Sequence, residues 1–321
     1  MIVWGINALN HDASIAVLAD QQLVFWKRSS DFSLIRGDQY LDPGLIKSAL
    51  EIGRPQRIIW YERPVWKKTR QFFAGQYRTA FDLAEMPGRY LHNVGLSGIP
   101  IHYVPHHLSH AAAGYLTSPF REKSVILVAD ALGEWDSCSI WLADGFDFRK
   151  IWSRSYPNSV GLFYSAFTRL IGLRPVFDEG RLQTMSHTGD ANTHYLDVAD
   201  YFKDLGILRT NLHHGVWDWQ KDIDNPDDLA ASVQKVFEEQ ILAMAKLAKK
   251  LTGLSTLVYM GGCAFNSDAN EHIKQQFDRV WSLWTPGDSS SSLGCALYHE
   301  RLAIPYGTND KIQPWTIRCD D

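Results

Sequence analysis

Two histidines, His106 and His110, stand four residues apart in the run Pro105-His106-His107-Leu108-Ser109-His110. On a helix this spacing puts both imidazoles on one face, with Cβ atoms about 5–6 Å apart, which suits shared coordination of one metal ion. Two nitrogens do not complete such a site. Carboxylates at strand ends would, and the sequence offers Asp130 after SVILVAD and Asp288 in WTPGDSSSS. Histidines at this spacing also serve as ordinary packing or surface residues. The two acids closing apolar runs favour metal ligation over that reading.

Three glycine turns suggest a second kind of chemistry. Gly133-Glu134 after SVILVAD, Gly261-Gly262 after STLVYM and Gly287-Asp288-Ser289 at a helix start each place backbone N–H groups where an anion could bind. Singly, each reads as well as a tight turn. Repeated at strand ends, they fit a phosphate-bearing ligand lying between two lobes.

The elements that must position these residues follow from periodicity. MIVWGIN, ASIAVLAD and QLVFWK read as consecutive strands joined by turns at Asn10-His11-Asp12 and Asp20-Gln21-Gln22. A helix starts at Asp42-Pro43 and ends at Gly53, before the buried strand RIIWYE. Helical sequence runs through 64–95 to a short strand IHYV and the histidine helix. The pattern then recurs in SVILVAD, SCSIWLADG and DFRKIWSRS, followed by the helix GLFYSAFTRLIGL, a polar and less regular region from about 175 to 225, and a long helix from Asp227 to Lys250. Strands STLVYMGG and VWSLW and the helix SSSLGCALYHERLA complete the plan. Two meanders, each followed by helices, predict an α/β protein with a duplicated lobe and a central cleft.

Composition narrows the function. With 321 residues, of which 45% are hydrophobic and 21% charged, the chain can bury a large core and build two lobes. A net charge of −4 excludes a chain-wide electrostatic footprint for nucleic acid. The basic stretch Lys67, Lys68, Arg70 and Arg78, interleaved with Trp66, Phe72, Phe73 and Tyr77, reads first as an amphipathic helix with a solvated face. No run approaches the roughly 20 apolar residues of a membrane span, and the N-terminus lacks a signal pattern, so a cytoplasmic protein is expected. Cys138, Cys263, Cys295 and Cys319 show no CxxC spacing and are expected to be reduced thiols.

Several segments resemble the nodulation and antibiotic O-carbamoyltransferase family. GINALNHDASIAVL is similar to that family's GIxxxxHDxxAAL, YERPVWKK to its YEKP segment, and HHLSHAAAGYLTSPF to its HHxxHAxxAxxxSPF. VADALGEWDS resembles DGxGEW, VGLFYSAFTRLIGL resembles GLxYSxxTxxLGF, GGCAFNSDAN resembles GGVALNxxAN, and PGDSSSSLGCAL resembles GDxGxAxGAA. The matches run in order from residue 5 to about 300. Two segments depart from the pattern. Ile35-Arg36-Gly37-Asp38 lacks the family's histidine, and Glu179-Gly180-Arg181 has arginine in place of lysine.

The resemblance implies the N-terminal domain of such an enzyme, in a two-lobed actin-like, sugar-kinase-like fold of duplicated ribonuclease-H-like units. It implies a first lobe over 1–118, a second over 119–305 with a variable insertion at about 175–225, and a C-terminal tail at 306–321. It assigns a divalent ion, iron(II) first with manganese or zinc as alternatives, to His106, His110, Asp130 and Asp288. His11 would be the general base with Asp12 as its orienting partner. Gly133, Glu134, Gly261, Gly262, Asn266 and Arg181 would contact the nucleotide, although Asn266 reads equally as a helix cap. The implied reaction moves a carbamoyl group, from carbamoyladenylate made with ATP and carbamoyl phosphate, to a hydroxyl of a small molecule, sugar or modified nucleotide. A separate carbamoyladenylate-forming protein is the expected partner, and an oligomer stays open. The twelve tryptophans and the segment with His213-His214 and Trp217-Asp218-Trp219 read either as an aromatic acceptor pocket or as packing. The alternatives are a tRNA threonylcarbamoyl transferase-like enzyme and a non-catalytic nucleotide-binding regulatory subunit.

Overall fold

Strands β1 (Ile2–Asn7), β2 (Ser14–Ala19) and β3 (Gln22–Arg28) pair antiparallel in chain order, as the alternating runs predict. A computed structural model describes residues 1–312 and the backbone of 314–318. Cys319 lies outside the described residues. After β3 come α1 (Ser30–Ser33) and α2 (Pro43–Ile52), the latter capped by the Asp42 side chain, which accepts from the Gly44 N–H at 2.7 Å. β4 (Arg57–Trp60) then adds parallel to β1.

The helical stretch expected over 64–95 is three pieces: α3 (Pro64–Phe73), α4 (Tyr77–Phe81) and α5 (Pro87–Asn93). The first break falls at Gly75, in left-handed backbone, and the second just before Pro87, which can begin a helix but not continue one. β5 (Ile101–Tyr103) closes a five-stranded sheet of order β3-β2-β1-β4-β5.

The histidine helix, α6 (His106–Thr117), is buried along its whole length. Beyond it β6 (Ser124–Ala129), β7 (Asp136–Asp144) and β8 (Asp147–Ser155) form the second meander, and α7 (Val160–Leu170) follows. The region from 175 to 225 is more regular than its polar sequence predicts. It holds α8 (Glu179–Ser186), α9 (Tyr195–Ala199) and a hairpin of β9 (Phe202–Asp204) and β10 (Ile207–Leu208). The long helix α10 (Pro226–Thr252) starts at an Asn225 cap and stops at Gly253 in left-handed backbone, as expected.

β11 (Thr256–Met260), α11 (Ser267–Lys274), β12 (Arg279–Leu283) and α12 (Ser291–Glu300) lead to β13 (Pro314–Arg318). The second sheet has the order β13-β12-β11-β6-β7-β8. Residues 314–318, read from the sequence as part of a short tail, therefore supply an edge strand antiparallel to β12. No helix among the described residues is long and apolar enough to cross a membrane.

Two helices tie the sheets together. α6 packs on β6 and β11 of the second sheet, while α12 packs on β1, β2 and β4 of the first, and the two helices lie against each other. This approach requires glycine. A Cβ on Gly294 would fall 1.8 Å from the Ser109 carbonyl oxygen, and one on Gly5 would fall 1.8 Å from that of Ser292. Trp4, Trp60 and Trp281 are fully buried, so these three tryptophans belong to the core.

Candidate metal centre and cleft

α6 begins directly after Pro105, and the i, i+4 spacing carries His106 and His110 to the same side of the helix. Their Nε2 atoms are 3.1 Å apart. Asp130 is the first residue past β6, and Asp288 opens the short turn that leads into α12. All four side chains are buried, and one donor atom from each lies within 4.8 Å of the others. Asp130 Oδ2 is 3.5 Å from His106 Nε2 and 3.3 Å from His110 Nε2. Asp288 Oδ1 stands at the same two distances, 3.5 and 3.3 Å.

The electrostatics of this cluster are compatible with a cation. Burial, and for Asp130 the repulsion of Asp288, would raise both carboxyls, yet the neighbouring histidines hold both well below the usual carboxylate range. Burial also works against charge on His106, but Asp288 and Asp130 outweigh it and push that imidazole up to about 10. Asp130 Oδ2 is buried with no hydrogen-bond partner in the protein. Two buried anions facing two nitrogens, one of their oxygens otherwise unsatisfied, match the donor set of a divalent ion of intermediate softness.

His11 and Asp12 lie in the β1–β2 turn. His11 Nδ1 is 3.0 Å from Asp12 Oδ2, and its Nε2 is 3.5 Å from Asp288 Oδ2. Burial would lower His11, but Asp288 first and Asp12 second push it up to about 9. The expected pair is thus assembled, and it stands beside a candidate metal ligand.

A cavity of about 730 Å³ opens between the two sheets, with His11, Asp12, Asp130, Gly262, Asn266 and Ser289 in its wall. The expected nucleotide contacts divide around it. Gly261, at positive φ, has no room for a Cβ because the Ala129 carbonyl oxygen would lie 2.2 Å away, so its glycine is required where the chain leaving β11 passes the end of the parallel neighbour β6. Asn266 does cap α11, accepting from the Ala269 N–H at 3.0 Å, and it exchanges hydrogen bonds with Gln234 while still facing the cavity.

Gly133 and Glu134 stand outside the cavity wall. The Glu134 carboxylate is engaged by Arg63, accepting from its backbone N–H at 2.6 Å and its guanidinium at 2.8 and 2.5 Å, and by the His106 N–H at 3.4 Å. It clasps the start of α3 and the first turn of α6. Arg181 is exposed and also absent from the wall, which α8 reaches instead through Glu179, Gly180 and Gln183.

The departing segment does reach the cavity, through Arg36 and Gly37, opposite Val176 and Phe177. The basic stretch on α3 is largely internal: Lys67 pairs with Glu62, Lys68 with Glu85, and Arg70 donates to the Glu134 carbonyl. His213 lies against Tyr156, Trp219 against Phe167, and Trp217 is exposed, all outside the cavity wall. Its aromatic residues are Tyr164, Phe177, Phe237 and Phe265. Cys138, Cys263 and Cys295 are free and buried. Sequence reasoning missed Asn10, whose Nδ2 donates to Asp288 Oδ2 at 2.7 Å. Its position next to His11 was the available signal.

Comparison with known proteins identifies the family and the fold. A family model described as Carbamoyltransferase N-terminus matches residues 89–297. An uncharacterised protein of Synechocystis is 26% identical over 94% of this chain and 57% of its own length. The nodulation protein NolNO of Sinorhizobium fredii is 26% identical over 61% of this chain and 31% of its own length. The tRNA N6-adenosine threonylcarbamoyltransferase of Thermosipho africanus is 27% identical over 53% of this chain and 52% of its own length. The chain thus spans about half, or less, of these curated relatives.

Among solved structures, full-length HypF in its phosphate- and nucleotide-bound form aligns over 94% of this chain and 55% of its own, at 14% identity and a TM-score of 0.56. A ROK family protein from Streptococcus pneumoniae, in complex with sucrose, aligns over 94% of this chain and 99% of its own, at 9% identity and a TM-score of 0.50. These likenesses establish the two-lobed, actin-like and sugar-kinase-like α/β fold.

Proposed function

The chain belongs to the carbamoyltransferase N-terminus family, and from that premise we propose that it transfers a carbamoyl group to the hydroxyl of a small molecule, sugar or modified nucleotide in the cleft between its sheets. The observation that carries this reading is the buried cluster of His106, His110, Asp130 and Asp288, which meets the cavity through Asp130 beside His11 and Asp12. These four residues would hold the divalent ion, with iron(II) the first candidate and manganese or zinc the alternatives. When bound, the ion would supply Lewis-acid stabilisation of the charge that builds on the carbamoyl oxygen and the departing phosphate.

The protein's own residues do the rest. Nitrogen donation deactivates the carbamoyl carbonyl, so the acceptor oxygen must approach it closely and lose its proton as the new C–O bond forms. His11 takes that proton at Nε2, and Asp12 fixes the ring through Nδ1. Asp288, with Asp12 after it, raises the pKa of His11, and commitment of the Asp288 carboxylate to a cation would lower the imidazole toward the range in which it accepts protons. The bond to the leaving phosphate then breaks and adenylate departs with the electron pair. Gly262, Asn266 and Ser289 line the space for the nucleotide, and the four aromatic rings exclude water from it.

The test is mass-spectrometric detection of carbamoylated product and AMP after supplying carbamoyladenylate, manganese or iron(II), and a panel of sugars and nucleotides. Product formation supports the reading, whereas AMP release with no acceptor in the panel modified restricts it to donor binding and hydrolysis. The likeness to the threonylcarbamoyltransferase motivates a parallel reaction with threonylcarbamoyladenylate and tRNA. Turnover in that reaction alone would replace the first reading.

A further inference from the structure

Asp288 presents its two oxygens to different neighbours. Oδ1 faces the histidine pair, 3.5 Å from His106 Nε2 and 3.3 Å from His110 Nε2. Oδ2 faces the β1–β2 turn, where it accepts from Asn10 Nδ2 at 2.7 Å and lies 3.5 Å from His11 Nε2. Asn10 is therefore the group that fixes rotation of this carboxylate. Asn10 belongs to the first sheet's meander and Asp288 to the connection between β12 of the second sheet and α12, so the bond ties that connection to the first sheet.

The turn that carries Asn10 is itself held rigidly. Leu9 and Asp12 both have left-handed backbone, with φ of 70° and 52°, a conformation that non-glycine residues adopt at a cost. Lys67 Nζ donates to the Leu9 carbonyl at 3.1 Å and to the buried Glu62 at 2.8 Å. On the other side Asn7 Nδ2 donates to the carbonyls of His11 and Asp12, and the Leu9 N–H reaches the Gln39 carbonyl at 2.7 Å. The segment after Asp288 is pinned to the same sheet. Ser14 Oγ donates to the Ser289 carbonyl at 2.8 Å, and Trp26 Nε1 donates to it at 3.3 Å.

We propose that Asn10 is a positioning residue that holds Oδ2 of Asp288 and thereby presents Oδ1 alone to the metal position, with Lys67 fixing the turn from which Asn10 reaches. The inference rests on the metal reading above and assigns to it residues outside the ligand set. A hydrogen bond to Oδ2 would hold the carboxylate oriented, with Oδ1 toward the histidine pair. It also couples metal affinity to the seating of the β12–α12 connection on the first sheet, where Asn10, Ser14 and Trp26 hold it.

The test uses the full chain and two probe ions, without turnover. Manganese(II) affinity is measured by calorimetry, and cobalt(II) substitution reports ligand geometry through its visible absorption. Asn10→Ala should weaken manganese binding by about 10- to 100-fold, the usual effect of removing an outer partner of a ligand, and should alter the cobalt bands. Thermal unfolding in chelator should match the unmodified protein. Lys67→Met, which removes the anchor and touches no ligand, should weaken binding by a smaller factor than Asn10→Ala, and it carries the test if Asn10→Ala does not fold. Unchanged affinity and unchanged cobalt bands in the variant that folds would overturn the inference and leave the metal reading standing. Failure of the unmodified protein to bind either ion would overturn both.

Discussion

The candidate metal cluster and the loops lining the cavity are built in opposite ways. His106, His110, Asp130 and Asp288 sit on a buried helix, at a strand end and at a helix start, with 5% exposure or less. The opposing lips, formed by Leu34 and Arg36 on one side and Val176 and Phe177 on the other, are loops. Leu34 is 88% exposed and Val176 54%, and both have left-handed backbone, with φ of 58° and 73°. On the proposed function, the chemistry would sit on rigid elements, and recognition where the backbone can change at little cost to the core.

That contrast yields predictions of graded size. Asp288→Ala removes a ligand, so it should abolish stoichiometric manganese binding and lower carbamoyl transfer by about 10³-fold or more. Residual transfer within tenfold of the unmodified protein would break the distinction between the two regions. His11→Ala should reduce kcat by about 10²-fold while manganese still binds at one ion per chain, which separates proton transfer from ion holding. Gly294→Ala forces α6 away from α12. It should cost about 1–3 kcal/mol of stability in a thermal melt, and it should weaken metal binding as well because α6 carries His106 and His110 and the turn into α12 carries Asp288.

The lips should respond differently. Val176→Gly relieves the strain of a β-branched residue at positive φ, offset by the extra unfolded-state freedom of glycine, so stability should change by less than about 1 kcal/mol. Its effect should fall on KM for the acceptor, with kcat and metal affinity retained. A loss in kcat equal to that of His11→Ala would place the lips in the chemistry rather than in recognition.

Much of the rigid half was legible in the chain. The i, i+4 histidines, the acids ending apolar runs and the alternation of the first meander are all local signals, and α6, β6 and β1 to β3 appear where those signals lie. What escaped was non-local. Glu134 follows a glycine in a strand-end turn and invites a phosphate reading, yet Arg63, 71 residues away, claims its carboxylate. Arg181 occupies the position of a family lysine, but two residues from Glu179 is about 200° around a helix, so it cannot share the face that Glu179 and Gln183 present to the cavity. Asn10 acquires its role only when Asp288, 278 residues on, is folded against it. The strand at 314–318 likewise depends on the open edge of β12, which no local pattern announces.

The account rests on one ion bound by four residues. Anomalous scattering at the manganese absorption edge, from crystals grown with manganese(II), tests this most directly. One strong peak within bonding distance of His106 Nε2, His110 Nε2 and a carboxylate oxygen each of Asp130 and Asp288 is the predicted result. A fully ordered cluster with no peak, or a peak held by other residues, would contradict it.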